Sequence, residues 1–428
     1  MELFNYQKEA LKYTFKTDSP ALFMDMRLGK SVVYVFRSRS YKGRNLIVCP
    51  ISAFLGWTEL LPDHVILYGS RTERLDKLRE THKYYIINWD GFRIIPEIAS
   101  LNWNSIVLDE STQIKSPTSS TSKFFCRFFR NVKYKWILSG TPDLEDPMDL
   151  IQQLNFIYDF HNYYTFRQKY CYPSGSFLDF KPNTQGQYKL AKGLAGCFVK
   201  KRHEVNFLCT KIYQKKVLIL PDRIRKIYDT CEEEFILEYK DYSLKTLYSA
   251  QRAIWLRLLS SGILQTAKDP NLHKLVWKTK IDALVELLNT IQEQVIVWTT
   301  FRIEFEYLQK AITDAAFING STPVKARADI IKNFNLGKFK RLVAQPECFK
   351  FGADFSKASC MIYFSQPNSA ITRSQTEDRV VHLNKKNPVL IMDLLVKDTV
   401  DEDIHSAHNK KQAYSERLHA LSKKYINR

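Results

Sequence analysis

Two short strings of the sequence carry residue types that bind phosphates and a divalent metal ion. The first, MDMRLGKS at Met24–Ser31, sets Gly29 directly before a lysine and a serine. Main-chain N–H groups at such a turn, together with the Lys30 ammonium, can cradle phosphates while the Ser31 hydroxyl reaches Mg²⁺. The usual phosphate-loop spacing has a glycine five residues before Gly29, but Met24 stands there. Taken alone, Leu-Gly-Lys-Ser is therefore equally compatible with an ordinary turn.

The second string is DEST, which begins at Asp109 and follows the apolar run SIVL. A buried strand that ends here places Asp109 and Glu110 at its carboxyl end, where α/β proteins bind ligands. One carboxylate can hold a metal ion and the other can orient a water molecule. The two strings together predict a site for ATP and Mg²⁺.

Length and composition are those of a folded soluble protein. The 428 residues, 45% hydrophobic and 25% charged, suffice for two domains of roughly 200 residues each. No apolar run approaches the roughly 18 residues that cross a bilayer, and MELFNYQKEA lacks a basic-then-apolar signal. We expect no membrane contact and a place in a cytoplasm or nucleus. Eight scattered cysteines without a C-x-x-C pair favour reduced thiols over disulfides or a zinc site.

The net charge is the one unusual total. The chain has 64 Lys and Arg residues against 45 Asp and Glu residues, a formal charge of +19. Such an excess predicts a polyanionic partner, and nucleic acid is the first candidate. A basic surface that is merely solvated is the alternative.

Short apolar runs alternate with helix-like stretches in both halves of the chain. They are ALFMDM, NLIVCP, HVILYG, YYIINW, SIVLDE and YKWILSG in the first half, and QVIVWTTF, AAFING, KRLVAQ, SCMIYFSQ and PVLIMDLL in the second. This pattern predicts two α/β domains, each a parallel sheet covered by helices. A cleft between two such sheets is a usual place for a ligand.

A strongly basic stretch from about Lys200 separates the two halves, and we place the domains at 1–212 and 213–428. The second domain is predicted to begin with a helical lead-in over 222–261 and to end with a basic helical tail over 401–428. One further segment, YCYPSGSFLDFKP at 170–182, predicts a β-hairpin in the first domain. Its aromatic tip could separate nucleic-acid strands, or the hairpin could pack on its own domain.

Further strings follow the phosphate loop in a constant order. They are LIVCPISAFLGWTE (Leu46–Glu59), IINWDGF (Ile86–Phe92), DESTQIKSPTSSTSK (Asp109–Lys123), LSGTP (Leu138–Pro142), VIVWTTF (Val295–Phe301), FING (Phe317–Gly320), FGADFSKAS (Phe351–Ser359) and QTEDR (Gln375–Arg379). This set resembles the motifs of superfamily 2 helicases, and specifically of their Swi/Snf-like branch. The resemblance covers nearly the whole chain. It implies an α/β fold of two RecA-like parallel-sheet motor domains with a nucleotide cleft between them.

The resemblance also implies roles for individual residues. Lys30 would bind the β- and γ-phosphates, Asp109 would hold the metal ion through water, and Glu110 would act as the general base. Arg379 would serve as an arginine finger, with Gln375 beside it. The nucleotide-binding positions are Gln7, Arg27, Leu28, Gly29, Lys30, Ser31, Gly352 and Asp354, and the metal ligands are Ser31 and Asp109. Gln7 is implied to contact adenine, and the start of an amphipathic helix is the alternative interpretation.

Other positions are implied to contact nucleic acid or to couple it to the ATP site. Ser139 and Thr141 are the coupling residues. The contact positions are Ser52, Asn88, Trp89, Thr300, Arg302, Gly320 and Lys350. Contacts of this kind read phosphates more than bases. Trp89 is equally compatible with a core aromatic residue.

The sequence departs from the branch at three places. Arg27 stands where the branch has glycine, and His382 stands where it has a final arginine. Either Arg379 therefore acts alone, or Arg373 or His382 takes part. DEST replaces the commoner D-E-A-H, which leaves both carboxylates in place.

The function implied by the resemblance is that of an ATP-dependent DNA translocase or helicase. The compact chain favours a minimal phage-type motor, in a host cytoplasm if viral, which acts as a monomer. Its partner would be duplex, forked or branched DNA, in repair, recombination, replication or branch migration. Two other functions stay open, a non-hydrolysing DNA-binding scaffold with a degenerate ATP site and an RNA helicase, although DEST and QTEDR fit the motifs of RNA helicases poorly.

Overall fold

The structure is a computed structural model that describes residues 2–174, 176–205, 209–239, 242–266, 272–349, 353–382 and 385–426. The chain divides into two compact units. Unit 1 consists of residues 1–207 and 411–428, and unit 2 consists of residues 208–410.

Unit 1 contains a sheet of seven parallel strands and nine helices before residue 207, within the described residues. The strands of this sheet are β1 (Ala21–Met24), β2 (Asn45–Cys49), β3 (His64–Leu67), β4 (Tyr84–Asn88), β5 (Ser105–Asp109), β6 (Tyr134–Ser139) and β9 (Phe198–Lys200), and β7 (Cys171–Ser174) and β8 (Ser176–Pro182) form a separate pair. The helices are α1 (Asn5–Thr14), α2 (Lys30–Ser38), α3 (Phe54–Leu60), α4 (Arg71–Arg79), α5 (Gly91–Ile94), α6 (Ser120–Phe128), α7 (Asp149–Ile157), α8 (Tyr163–Tyr170) and α9 (Thr184–Ala195). The sheet order is β3-β4-β2-β5-β6-β1-β9.

Both faces of this sheet are buried, which explains why its strands read as continuous apolar runs. In β1, Ala21 and Phe23 pack on one face, while Leu22 and Met24 pack on the other. Helices α1 to α3 cover the second of these faces, and α4 to α9 cover the first. All six runs predicted as strands in this half form β1 to β6, so the predicted parallel sheet is confirmed. The short strand β9 was not predicted.

Unit 2 contains a second parallel sheet of six strands. Its elements are β10 (Lys211–Leu218), α10 (Asp222–Glu234), β11 (Ile236–Tyr239), β12 (Tyr242–Lys245), α11 (Ser249–Ser260), β13 (Ile263–Gln265), β14 (His273–Leu275), α12 (Thr279–Thr290), β15 (Val295–Trp298), α13 (Arg302–Ala311), β16 (Ala315–Ile318), α14 (Val324–Asn335), β17 (Arg341–Ala344), β18 (Cys360–Tyr363), α15 (Ala370–Glu377), β19 (Val389–Val396) and the first part of α16 (Val400–Ile426). The sheet order is β10-β19-β18-β15-β17-β16. The five runs predicted as strands in this half form β15 to β19.

The predicted domain boundary falls inside a strand. Residues 211–218 pair in parallel with residues 389–396 over eight positions, so they belong to the sheet of unit 2. The division at 212 and 213 would cut this strand, and the chain divides at 207 and 208 instead. A basic sequence hid the strand because β10 lies at the edge of the sheet, where several of its side chains stay exposed.

The predicted helical lead-in over 222–261 is also interrupted. Helix α10 ends at Glu234, and Phe235 adopts φ 60°, a left-handed conformation that stops the helix. The antiparallel pair β11 and β12 follows before α11 begins at Ser249. Apolar residues of α10, β11, α11 and β13 share one core with Trp277.

The tail of the chain forms a single helix, α16, as its pattern predicted, but it does not belong to the second domain alone. Its residues from Lys411 onward are part of unit 1. There Leu418 packs into the core of unit 1, and Ser415 and His419 bond to Asp143. The placement of the whole tail in the second domain was therefore wrong.

The segment predicted as a hairpin contains the antiparallel strands β7 and β8. Tyr170 and Cys171 at its base pack against the core of unit 1, and the Arg167 guanidinium lies over the Phe180 ring at 3.8 Å. Residue 175 lies outside the described residues. In the part of the chain that the structure describes, no helix is both long and apolar enough to span a membrane.

Candidate nucleotide and nucleic-acid site

The phosphate loop connects β1 to α2 at the carboxyl edge of the first sheet. Gly29 precedes α2 with φ 79°, the left-handed region that favours glycine. A Cβ at this position would lie 2.4 Å from Gln7 Nε2, so no side chain fits there. Arg27 also adopts a left-handed conformation, with φ 66°, which costs a residue with a side chain about 1–2 kcal/mol. The backbone thus keeps the shape that suits the glycine of the branch, although the residue is arginine.

Gln7 holds this loop through its side-chain amide. Its Nε2 donates to Leu28 O at 3.0 Å, and its Oε1 accepts from Phe4 N at 3.1 Å. Both amide ends are therefore used, and Gln7 is buried. Leu28 itself is buried in the core beside α1 and α2. The structure thus shows Gln7 as a support of the phosphate loop, and it does not test a contact with adenine.

The Lys30 ammonium lies at the carboxyl end of β1. Its Nζ donates to Met24 O at 2.7 Å and to Asp25 O at 3.5 Å. Lys30 and Ser31 open the nine-residue helix α2. The first N–H groups of a helix carry a partial positive charge and bind anions. A cation and a helix amino terminus therefore meet at the same loop.

Asp109 ends β5 and is held by two tryptophans. Trp57 Nε1 donates to Asp109 Oδ2 at 2.9 Å, and Trp89 Nε1 donates to the Asp109 main-chain oxygen at 3.1 Å. Burial raises the pKa of Asp109, while the Trp57 hydrogen bond and the charge of Lys30 oppose that rise. Lys30 is thus close enough to Asp109 to stabilise its ionised form.

Glu110 follows in a left-handed conformation, with φ 58°. Only four non-glycine residues in the described part of the chain have positive φ, and Arg27 and Glu110 are two of them. Strained backbone of this kind concentrates at functional sites. Both strained residues adjoin strands of the same sheet edge, so they support the interpretation of this edge as the site.

The coupling loop follows β6, which lies between β5 and β1 in the sheet. Ser139 Oγ accepts a hydrogen bond from Thr141 N at 3.1 Å. Gln153, which the sequence analysis missed, donates from Nε2 to Pro142 O at 2.8 Å and accepts at Oε1 from Ser111 Oγ at 2.7 Å. This buried amide joins the coupling loop to the loop after Glu110. Nothing in the sequence distinguishes it from other glutamines of an amphipathic helix.

The three nucleic-acid positions expected in unit 1 differ in exposure. Ser52 is exposed. Asn88 is buried, and its Oδ1 accepts from the Arg74 guanidinium at 3.1 Å. Trp89 is also buried and packs edge-on against Phe125. Trp89 is thus a core aromatic residue, and its indole N–H holds the end of β5.

Three nucleic-acid positions expected in unit 2, Thr300, Arg302 and Gly320, lie at the carboxyl edge of its sheet. Arg302 and Gly320 are exposed. Gln345, another residue missed from sequence, bridges two of the expected positions, because its Oε1 accepts from Gly320 N at 2.9 Å and its Nε2 donates to Thr300 O at 3.0 Å. Lys350 and Gly352 lie outside the described residues.

A buried carboxylate organises the start of this edge. Glu304 Oε2 accepts from the main-chain N–H groups of Thr300 and Phe301 at 3.1 and 3.0 Å and from Ser365 Oγ at 2.7 Å. The Thr300 hydroxyl donates to Gln366 O at 3.0 Å. The loop that carries Thr300 and leads to Arg302 is therefore held by hydrogen bonds rather than left free.

The QTEDR motif consists of the last three residues of α15 and the two residues that follow this helix. Gln375 and Arg379 are both buried. Arg379 NH1 donates to Ala353 O at 3.5 Å, and the Arg379 main-chain oxygen accepts from Phe355 N at 3.0 Å. Arg379 is thus bound to the segment that contains Asp354, whose carboxylate accepts from Ser356 N at 3.0 Å.

Arg373 is committed to a buried ion network. Its guanidinium donates to Glu377 Oε1 at 2.6 Å and to Asp393 Oδ1 and Oδ2 at 2.6 and 3.2 Å. It also donates to Gln366 Oε1 at 2.6 Å and lies over the Tyr363 ring at 3.6 Å. These contacts occupy the edges of the guanidinium and one of its faces. They argue against Arg373 as a replacement for the missing motif arginine.

The residues at the edge of the first sheet fit Mg²⁺ and a nucleotide phosphate. The glycine that a Cβ would overcrowd, the lysine ammonium, the helix amino terminus and the half-buried Asp109 carboxylate all lie at one end of β1 and β5. Among the described residues, no group of three or more His, Cys, Asp or Glu side chains could hold a metal ion. Ser31 and Asp109 supply oxygen atoms, the ligand type that Mg²⁺ binds together with phosphates and waters.

Comparison with known proteins gives relatives of several kinds. The chain is 23% identical over 380 residues to protein p41 of Acyrthosiphon pisum secondary endosymbiont phage 1, covering 82% of this chain and 80% of that protein. It is 22% identical to the DNA annealing helicase and endonuclease ZRANB3 of Mus musculus over 96% of this chain and 40% of that protein. The Sulfolobus solfataricus SWI2/SNF2 ATPase core in complex with dsDNA aligns with a TM-score of 0.45 and 18% identity, over 95% of this chain and 90% of that one.

Family models match most of the sequence. The model of the helicase conserved C-terminal domain matches residues 279–384. The model of the SNF2-related domain matches residues 6–275, which include the phosphate loop, DEST and the coupling loop. This second match covers more than half of the chain, and the chain therefore belongs to the SNF2-related domain family.

Proposed function

We propose that the protein is an ATP-dependent DNA translocase that remodels or unwinds forked or branched DNA as a monomer. The observation that carries the proposal is the position of Lys30 and Asp109. The ammonium and the half-buried carboxylate follow parallel strands at one sheet edge and interact electrostatically. Family membership supports ATP use.

The residues that would hold Mg²⁺ and ATP come from unit 1. Gly29 and the amino terminus of α2 receive the phosphates, Lys30 neutralises their charge, and Ser31 and Asp109 hold the metal ion. When bound, Mg²⁺–ATP supplies the phosphoanhydride bond whose cleavage releases free energy. Gln7 keeps the phosphate loop in its strained shape by its bond to Leu28 O.

The remaining residues control water and charge. Glu110 accepts a proton from the attacking water through its carboxylate. Arg379 stabilises the negative charge that develops on the transferred phosphoryl group. The loop of Ser139 and Thr141 is coupled to the loop after Glu110, because the Gln153 side chain hydrogen-bonds to Pro142 O in one and to Ser111 Oγ in the other.

DNA as the partner is supported by charge and by a relative. The net charge of +19 favours phosphate contacts, whose affinity falls as salt rises. The mouse relative is named a DNA annealing helicase, which suggests forked or branched DNA. The chain spans 40% of that protein, so this preference belongs to the proposal. Arg302 and Gly320 are exposed and could contact the DNA backbone.

The alternative of a non-hydrolysing scaffold rests on Arg27 and His382. Arg27 keeps the left-handed backbone that a glycine would take, so the substitution does not abolish the loop shape. Lys30, Asp109 and Glu110 are all present. These observations favour an active site over a degenerate one.

ATP turnover in the presence of single-stranded, duplex, forked and four-way DNA tests the proposal. We expect stimulation by DNA, greatest for forked or four-way substrates, and none by RNA. Turnover stimulated only by RNA would instead support an RNA helicase, and DNA binding without turnover would support the scaffold.

Two substitutions then test the assigned roles. Lys30→Ala and Glu110→Gln should both abolish turnover, but only Lys30→Ala should weaken ATP binding, because Glu110 mainly positions water. Lys12→Ala and Glu59→Gln, at exposed positions, are the matched controls. Near-normal turnover in Glu110→Gln would show that the base is another group.

A further inference from the structure

Two segments of the backbone connect unit 1 with unit 2. The chain leaves unit 1 at residue 207 and re-enters it at residue 411. Within unit 1, described residues that precede residue 207 form hydrogen bonds with the phosphate loop, and described residues that follow residue 411 form hydrogen bonds with the segment after the coupling loop.

Asp25 connects the phosphate loop to the first of these segments. Its main-chain N–H donates to Lys200 O at 3.0 Å. Its Oδ2 accepts from Arg202 N at 2.9 Å, and its Oδ1 lies 3.5 Å from Lys201 Nζ. The carbonyl oxygen of Asp25 accepts from Lys30 Nζ at 3.5 Å. One residue thus contacts both the phosphate-binding ammonium and the chain on its way out of the unit.

Asp143 connects the coupling loop to the second segment. It lies two residues after Thr141, is buried, and bonds through Oδ1 to His419 Nε2 and through Oδ2 to Ser415 Oγ, both at 3.0 Å. Burial alone would raise the pKa of Asp143, but the charge and hydrogen bond of His419, the charge of Lys201 and the hydrogen bond of Ser415 hold it below its ordinary value.

The two segments are also joined to each other. Glu204 Oε2 accepts from Lys201 N at 2.6 Å, and Glu204 Oε1 forms an ion pair with Lys423 of α16. A change at the phosphate loop therefore has a continuous path of ion pairs and hydrogen bonds to both segments. The path consists of Asp25, Lys201, Glu204 and Lys423.

We propose that Asp25 and Asp143 are positioning residues that make both connecting segments respond to nucleotide. The proposal rests on the proposed function in one respect, that Lys30 binds phosphates. When Lys30 turns towards a phosphate, its hydrogen bonds to Met24 O and Asp25 O are given up. The backbone that carries the Asp25 carboxylate is then free to shift, and Lys201 and Arg202 shift with it.

Hydrogen exchange of the full-length chain tests this proposal without relying on turnover. Exchange is measured in peptides covering 200–205 and 411–423, with and without ADP or a non-hydrolysable ATP analogue in the presence of Mg²⁺. In the wild type we expect bound nucleotide to change the amide exchange rates of both peptides on the order of tenfold, because charge-assisted hydrogen bonds are broken and replaced when it binds.

The double variant Lys201→Gln/Arg202→Gln removes both ion pairs to the Asp25 carboxylate, from Lys201 Nζ at 3.5 Å and from Arg202 Nε at 3.9 Å, and leaves the residues of the phosphate loop unchanged. We expect nucleotide affinity to be kept and the response of the 200–205 peptide to be lost. Ser415→Ala and Asp143→Asn should likewise remove the response of the 411–423 peptide, and Ser415→Ala serves if Asp143→Asn fails to fold. Glu9→Gln, which removes an exposed pair with Lys200, and Glu145→Gln, which removes a pair with Lys411, should leave both responses intact.

The outcomes separate this proposal from the proposed function. If nucleotide binds and neither peptide responds, or if Lys201→Gln/Arg202→Gln responds as the wild type does, the positioning role is wrong and the ATP site stands. If no nucleotide binds and Lys30→Ala behaves as the wild type does, the ATP site and the positioning role are both wrong.

Discussion

Arg373→Ala should cost stability rather than catalysis. The substitution leaves the carboxylates of Glu377 and Asp393 buried without their guanidinium partner. Removing one member of a buried ion pair typically costs about 3–5 kcal/mol. For a unit of about 200 residues, each kcal/mol lowers the melting temperature by roughly 2–4 °C. We therefore expect a fall of roughly 6–20 °C in the transition of unit 2.

The pH dependence of this loss follows from Asp393. Burial alone would raise the pKa of Asp393, but the charge of Arg373 and hydrogen bonds from His405, Arg373 and Gln366 hold it well below its ordinary value. In the wild type this contributes stability above the unfolded pKa of about 4, which is lost as the pH falls towards the folded pKa. In Arg373→Ala the contribution is reduced to that of His405 and Gln366, so the difference between the two proteins should shrink in acid.

The assay is thermal unfolding followed by circular dichroism, combined with hydrogen exchange of the β19 peptide to localise the loss to unit 2. ATP turnover of the folded variant is measured well below its melting temperature. Lys216→Met, which removes an exposed ion pair with Glu286, is the control and should change the melting temperature little. Normal stability with turnover as low as that of an Arg379 variant would refute the reasoning, because it would make Arg373 a group of the reaction.

Two further predictions concern the reaction and the pH response of unit 1. Arg379→Ala should lower kcat by roughly 10³–10⁵ while ATP binding is kept, as for loss of an arginine finger, whereas His382→Ala should lower kcat little. The rate of phosphate release in a single turnover measures both effects. Equal losses of rate would show that His382 has the role of the missing arginine. Burial raises the pKa of Asp149 to about 6, and the Lys115 ammonium, 3.0 Å away, opposes that rise. The protonated carboxyl group therefore favours the folded state by about 3 kcal/mol below the unfolded pKa of about 4. This contribution to stability is lost as the pH rises through about 6. Urea unfolding between about pH 4 and pH 7 should show this slope in the wild type and a flatter one in Asp149→Asn, and identical slopes would show that Asp149 titrates normally.

Much of the architecture could be predicted from local pattern. Eleven apolar runs predicted as strands form β1 to β6 and β15 to β19, because strands buried on both faces of a parallel sheet must be apolar throughout. The motif order predicted the family that the sequence model confirms. The positions of Gly29, Lys30 and Asp109 at strand ends also followed from the sequence, since parallel strands bring their carboxyl ends to one edge.

Other features depended on contacts that no local pattern records. The strand β10 was hidden by its lysines, because an edge strand needs only one partner and can leave its side chains in water. Arg373 is held in its structural position by a hydrogen bond to Asp393, twenty residues away. The end of the tail is held in unit 1 by a hydrogen bond from His419 to Asp143. Sequence determined which residue types stand at the ends of strands. Only the tertiary structure decided which charges are paired and buried, because that pairing joins residues distant in the chain.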